Sequence, residues 1–131
     1  MGANSDVVQQ ALGTIIMRDL SAAEAVVAQD FVWHIPGRSV IGGDAVGAAG
    51  WADKLHRLLG AGLRPQLLTM LEGDEQVAVL QRNVAEAGDH SLDVRVVNLF
   101  TVRDGKVSRL ETFFGDQHAV EAFWNAVLVE A

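Results

Sequence analysis

Four stretches with a two-residue hydrophobic period follow one another with almost nothing between them, and this run constrains the fold more than any other feature. They cover residues 63–71, 76–86, 92–103 and 106–114, parted by Gly73-Asp74, Gly88-Asp89 and Asp104-Gly105. Links this short join strands that pair antiparallel. The third strand is mostly apolar but carries Asn98 within Val97-Asn98-Leu99-Phe100. Asn98 shares a strand face with Val94, Val96, Phe100 and Val102, where an amide needs a partner, a water or a ligand.

Helical spacing dominates before this run. Val7, Val8, Ala11, Leu12, Ile15 and Ile16 mark one face of a helix over 6–17. Ser21-Ala22-Ala23-Glu24 reads as a capping box opening a second helix through 29. Phe31-Val32-Trp33-His34-Ile35 predicts a strand stopped by Pro36-Gly37, and 38–47 reads as a glycine-punctuated loop. A third helix over 48–59 groups Trp51, Leu55, Leu58 and Leu59, and a last one over 117–129 groups Val120, Phe123, Trp124, Val127 and Leu128. Asp116 suits the N-cap of that last helix. The expected architecture is α+β: a single domain over 1–131 whose curved antiparallel sheet packs its concave face on the helices and encloses a cone. The open end of such a cone is a natural pocket for a small apolar molecule.

Composition excludes several functions. Seventeen acidic against ten basic side chains give a formal net charge of −7, without a basic run, so nucleic acid and anionic membrane surfaces are not expected partners. Cysteine is absent, which removes thiol nucleophiles, disulfides and thiolate metal sites and fits a reducing cytoplasm. No stretch has the length and apolarity of a spanning helix, and the first residues lack a secretion signal. His56 and His90 have no second ligand at metal spacing, so no metal and no organic cofactor is expected.

Val97-Asn98-Leu99-Phe100, Gly105-Lys106-Val107 and Phe113-Phe114-Gly115-Asp116 together resemble the closing hairpin of the ketosteroid isomerase-like proteins of the NTF2-like superfamily, and Trp33-His34-Ile35-Pro36-Gly37 resembles a SnoaL-like first strand. The resemblance covers nearly the whole chain. It implies the NTF2-like cone, a homodimer through the outer sheet face with Val79, Val97 and Leu99, and a pocket for an apolar, carbonyl-bearing ligand. It places Asn98 where the isomerases carry an oxyanion-stabilising Asp, and His34, or Ile35 in the alternative alignment, near their base. The isomerases' first-helix Tyr falls near Ala11, and the chain has no Tyr. Thr112 stands where cyclases and epoxide hydrolases carry an Asp, while Arg82 and Val84 only half match the hydrolase pattern.

Two readings follow. In the first, the protein is a SnoaL-like isomerase, cyclase or lyase: His34 moves a proton, Asn98 holds the oxyanion, and Trp33, Trp51, Thr112, Phe114 and His118 shape the substrate pocket. In the second it is a non-catalytic ligand-binding or interaction module. Each residue also has a structural role open to it: Asn98 and His34 as internal hydrogen-bond partners, one of Trp33 and Trp51 as core, Phe114 as packing and His118 as solvated helix start.

Overall fold

The computed structural model describes residues 2–128. Its elements are α1 (Ala3–Ile16), α2 (Leu20–Ala23), β1 (Val27–Ile35), β2 (Gly43–Val46), α3 (Gly47–Gly60), β3 (Arg64–Glu72), β4 (Gln76–Ala87), β5 (His90–Arg103), β6 (Lys106–Phe114) and α4 (Gln117–Leu128). The six strands form one sheet in the order β2-β1-β6-β5-β4-β3. All neighbours are antiparallel except β1 and β6, which run parallel. Register shifts in the β1–β6, β3–β4 and β5–β6 pairs bend the ladder, as an extra residue in one strand does. The result is the α+β cone expected from the strand run, with a mixed rather than wholly antiparallel sheet, because β1 joins β6 in parallel.

Local chemistry explains the joints. Asp104 and Gly105 both have positive φ, 53° and 74°, the requirement of the two-residue turn whose twist matches its strands. Asp116 accepts the Ala119 N–H at 3.0 Å, so α4 opens on the cap its sequence offers. Gly62 follows α3 with φ 107°, and a Cβ there would stand 2.9 Å from the Glu86 carbonyl oxygen.

Three expectations change. The second helix is shorter than expected and is capped not by Ser21 but by Asp19, whose carboxylate accepts the Ala22 N–H at 3.1 Å. β1 starts at Val27 rather than 31, held there by pairing of Val27 with Val107 of β6 rather than by the strand propensity of Ala28, Gln29 and Asp30. The segment read as a loop contains β2, too short to show a period, held as an edge by pairing Trp33 with Ala45 and His34 with Asp44. The expected end of the last helix, Val129, lies outside the described residues.

The core fills the concave side. Val8, Ala11 and Ile15 of α1 and Trp51, Ala52 and Leu58 of α3 are buried against Phe31, Val77, Val96, Phe100 and Val107 of the sheet. Trp51 stacks on Phe31 with ring centroids 4.7 Å apart and lies 6.1 Å from Phe100. Among the described residues no helix is long and apolar enough to cross a membrane.

α1 is tied to the sheet edge by a charge. Its first turn leaves backbone N–H groups unbonded, and Glu72 of β3 accepts that of Ser5 at 2.6 Å. Hydrogen bonding from Ser5 holds the Glu72 carboxyl below the usual glutamate range. A carboxylate with a lowered pKa in the folded state stabilises above its unfolded pKa, and that contribution disappears as pH falls through the folded value. Glu72→Gln is therefore expected to lower the melting temperature slightly at pH 7 and by less as the pH falls into the acid range; an offset that does not shrink would detach the effect from the charge.

Candidate functional site

Strand alternation puts Trp33, Ile35, Gln81, Asn83, Val96, Asn98, Thr112 and Phe114 on the concave face, and α3 and α4 close over them with Leu55, Leu58 and Trp124. Ile41, Leu63 and Pro65 complete a mostly apolar chamber of about 60 Å³. That is room for about two water molecules at the volume water takes in the liquid. A larger, more open groove of about 700 Å³ is lined by Leu20, Glu24, Gln29, Gly47 and Lys106, and is more polar and solvent-facing than the chamber.

Five polar side chains cross the chamber wall in one run. Trp33 Nε1–H donates to Thr112 Oγ1 at 2.9 Å, and Thr112 Oγ1 donates to Asn98 Oδ1 at 2.7 Å. Asn98 Nδ2 donates to Gln81 Oε1 at 3.1 Å, and Gln81 Nε2 to Asn83 Oδ1 at 2.7 Å. The register explains the path. Asn98 stands directly opposite Thr112, Trp33 pairs with Leu110 one step diagonal to Thr112, and Gln81 pairs with Val96 one step diagonal to Asn98. Thr112 and Asn83 are buried and would be costly without such partners.

None of the residues lining the chamber ionises near neutral pH. An ammonium does stand against its wall: Lys54 Nζ lies 5.9 Å from the centre of the Trp33 ring, within cation–π range. Lys54 makes no hydrogen bond or ion pair among the described residues. Burial pushes its pKa below the usual lysine value; Asp44 acts against that and Arg57 adds to it.

Of the residues singled out from sequence, Trp33, Asn98, Thr112 and Phe114 meet in the chamber. Three do not. His34 points to the opposite face from Trp33, where its Nδ1 lies 2.7 Å from Asp44 Oδ1, because neighbours along a strand alternate. Trp51 is 1% exposed and packed between Phe31 and Phe100, so it belongs to the core. His118 is exposed on the first turn of α4, outside the lining. Val79, expected on the outer face, is buried on the inner one, while Val97 and Leu99 are outward and half-buried. Arg82 pairs with Asp93 on the exposed face, Nε to Oδ1 at 2.7 Å. His56 is half-buried, its Nε2 3.1 Å from the Ile15 carbonyl oxygen. Gln81 and Asn83 escaped the sequence reading, although the phase set by Val77 and Val79 places both inward. Among the described residues no group of three or more His, Asp or Glu is arranged to hold a metal.

Comparison with known proteins agrees with this geometry. Uncharacterised proteins of Mycobacterium bovis and Mycobacterium tuberculosis are 28% identical over 130 residues, covering 93% of this chain and 96% of theirs. The structure of Bal32a, from a soil-derived mobile gene cassette, is 28% identical with a TM-score of 0.80 over 93% of this chain and 96% of that one. TerC, co-crystallised with polyporic acid, shares the fold at 23% identity and a TM-score of 0.73, over 93% of this chain and 98% of that one. An NTF2-like protein of Burkholderia thailandensis does so at 18% and 0.75, over 96% and 98%. The SnoaL-like domain family matches residues 8–110, and the chain belongs to that family.

Proposed function

We propose that the protein binds a small, largely apolar molecule by its oxygen, in the chamber between the sheet and helices α3 and α4. One observation carries this reading: an otherwise apolar cavity has a single uncharged polar wall, with Asn98 at its middle, and each of its amides keeps N–H capacity beyond the run. Such a wall fixes the orientation of a carbonyl or phenolate at little cost, since its dipoles are already held in place. A ligand larger than the chamber enters only as the α3 and α4 side chains turn aside. The co-crystallisation of TerC, which shares the fold, with polyporic acid is in keeping with this reading.

The test is a ligand screen by thermal shift over apolar ketones, phenols and lactones, read in parallel by tryptophan fluorescence, because Trp33 and Trp124 both line the chamber. A ligand present at about one hundred times its Kd adds about 2.7 kcal/mol to stability. A rise of several degrees with a fluorescence change supports the reading; no rise with any class moves it to an interaction module.

A second reading, acid–base turnover of the bound molecule in the manner of an isomerase or cyclase, turns on Lys54, whose ammonium stands over the Trp33 ring just outside the chamber lining and has no hydrogen bond or ion pair among the described residues. With a pKa below the usual lysine value it reaches the proton-accepting form at lower pH. Turnover is then expected to rise with pH through that value, and Lys54→Met to abolish it without loss of ligand binding; a rate that survives the substitution excludes Lys54.

We also propose pairing of two copies through the outer sheet face. Leu71, Ala78, Leu80, Val97, Leu99 and Phe113 are joined by cross-strand register into one apolar band there, with Leu71 63% and Phe113 39% exposed. Sedimentation is expected to show a dimer that Leu99→Lys converts to monomer; a parent chain sedimenting as monomer rejects the pairing.

A further inference from the structure

The hydrogen-bond run across the chamber wall has a direction. Indole N–H can only donate, so Thr112 Oγ1 must accept from Trp33, and its own hydrogen then has Asn98 as its described acceptor. This sets the Asn98 amide with oxygen toward Thr112 and nitrogen toward Gln81, and Gln81 in turn with oxygen toward Asn98 and nitrogen toward Asn83. The reverse order would aim the Asn98 amide nitrogen at Thr112 and strand the hydroxyl hydrogen at a residue only 4% exposed.

A one-way run leaves an unequal remainder. Asn98 and Gln81 each spend one of two amide N–H groups, and Asn83, at the receiving end, spends neither among the described residues. Each amide oxygen already accepts one bond; the free N–H groups are not sealed off, since the side-chain atoms buried without a partner among the described residues are Ser5 Oγ and Ser39 Oγ, so they face space that an acceptor can enter. The demand of the wall is therefore for an acceptor.

We propose that Thr112, oriented by Trp33, sets this wall to read hydrogen-bond acceptors, with Asn83 and Gln81 beside Asn98 as the contacting groups, so that the chamber takes compounds whose polar group is a ketone, lactone or quinone carbonyl and rejects compounds of like shape that can only donate. Trp33 and Thr112 are positioning residues in this scheme. The inference rests on the binding reading above and adds the ligand's polarity and the residues that fix it.

Two bicyclic probes of similar size test it by calorimetry: 1-indanone, which can only accept, and indole, whose N–H can only donate. A site built around one hydrogen-bonding sense rejects the wrong one strongly, so the parent chain is expected to prefer indanone by about tenfold or more. Thr112→Val keeps the volume and removes the hydroxyl that sets the direction; the preference is expected to fall below about threefold, a selectivity change that lost packing alone would not produce. Thr112→Ser retains the hydroxyl and is expected to retain the preference, which guards against misfolding of the valine variant. Equal binding of both probes by the parent overturns this inference and leaves the binding reading intact. A full preference in Thr112→Val overturns it too. Binding of neither probe, nor of any ligand in the wider screen, overturns the binding reading itself.

Discussion

Replacing Trp51 by alanine is expected to cost about 3–5 kcal/mol, the range for truncating a buried aromatic residue. Trp51 is 1% exposed, stacked on Phe31 and close to Phe100, so one side chain joins α3 to β1 and β5. Truncation leaves a hole bordered by two rings that cannot collapse together without moving the helix. Domains of this size are stable by about 5–15 kcal/mol in all, so the variant keeps little reserve. Its melting temperature should fall by about 10–20 °C on the usual relation between free energy and midpoint. Trp51→Phe, which refills most of the space, should lose far less. Urea unfolding of the three proteins decides the matter: a loss under about 1 kcal/mol for the alanine variant would contradict the assignment of Trp51 to the core.

Asn98→Leu is the second large effect, and it acts on stability and binding together. Leucine has nearly the shape of asparagine, but it cannot accept from Thr112 or donate to Gln81. A buried donor left without its acceptor costs about 1–3 kcal/mol. Ligand affinity should fall by about 10–100-fold as the central amide is lost, since each 1.4 kcal/mol is a factor of ten. Adding Thr112→Val removes the stranded hydroxyl but leaves the Trp33 Nε1–H without its acceptor, so the double variant should gain little stability over Asn98→Leu and none of the affinity. Chemical denaturation beside calorimetric titration separates the two. A stability loss under about 1 kcal/mol in Asn98→Leu would show that the Thr112–Asn98 bond does not carry the cost.

The fold was legible where its signals are local. The Asp104-Gly105 turn, the Asp116 cap and the two-residue period of the last four strands each follow from a few neighbouring residues, and together they specify a hairpin sheet closed by a helix. β2 was not legible, because four residues hold too little period, and its pairing with β1 is a tertiary fact. The site was legible in part. Asn98 stood out as a polar position on an apolar strand face and Thr112 through the family resemblance, and the register sets them opposite each other. His34 drew attention by its chemistry, yet the alternation that turns Trp33 inward turns His34 out. Gln81 and Asn83 lay in plain phase with Val77 and Val79; uncharged amides carry no catalytic signature, so the chemistry of the residue types hid what their position shows. Nothing in one sequence indicates which of two tryptophans meets a cavity, because that depends on where α3 comes to rest.

The parallel pairing of β1 with β6 bears on how the molecule is made. Trp33 and Thr112 are 79 residues apart in the chain and meet in one hydrogen bond, so the chamber wall is complete only once most of the chain has been brought together. Chain closure over such a span is entropically costly before any contact repays it, and topologies dominated by distant pairings fold in milliseconds to seconds rather than microseconds. A chain ending after Arg103 would hold every helix but α4 and still leave β1 with four-residue β2 as its one partner in the sheet. During synthesis the first half of this protein is thus an open surface waiting for its last strand.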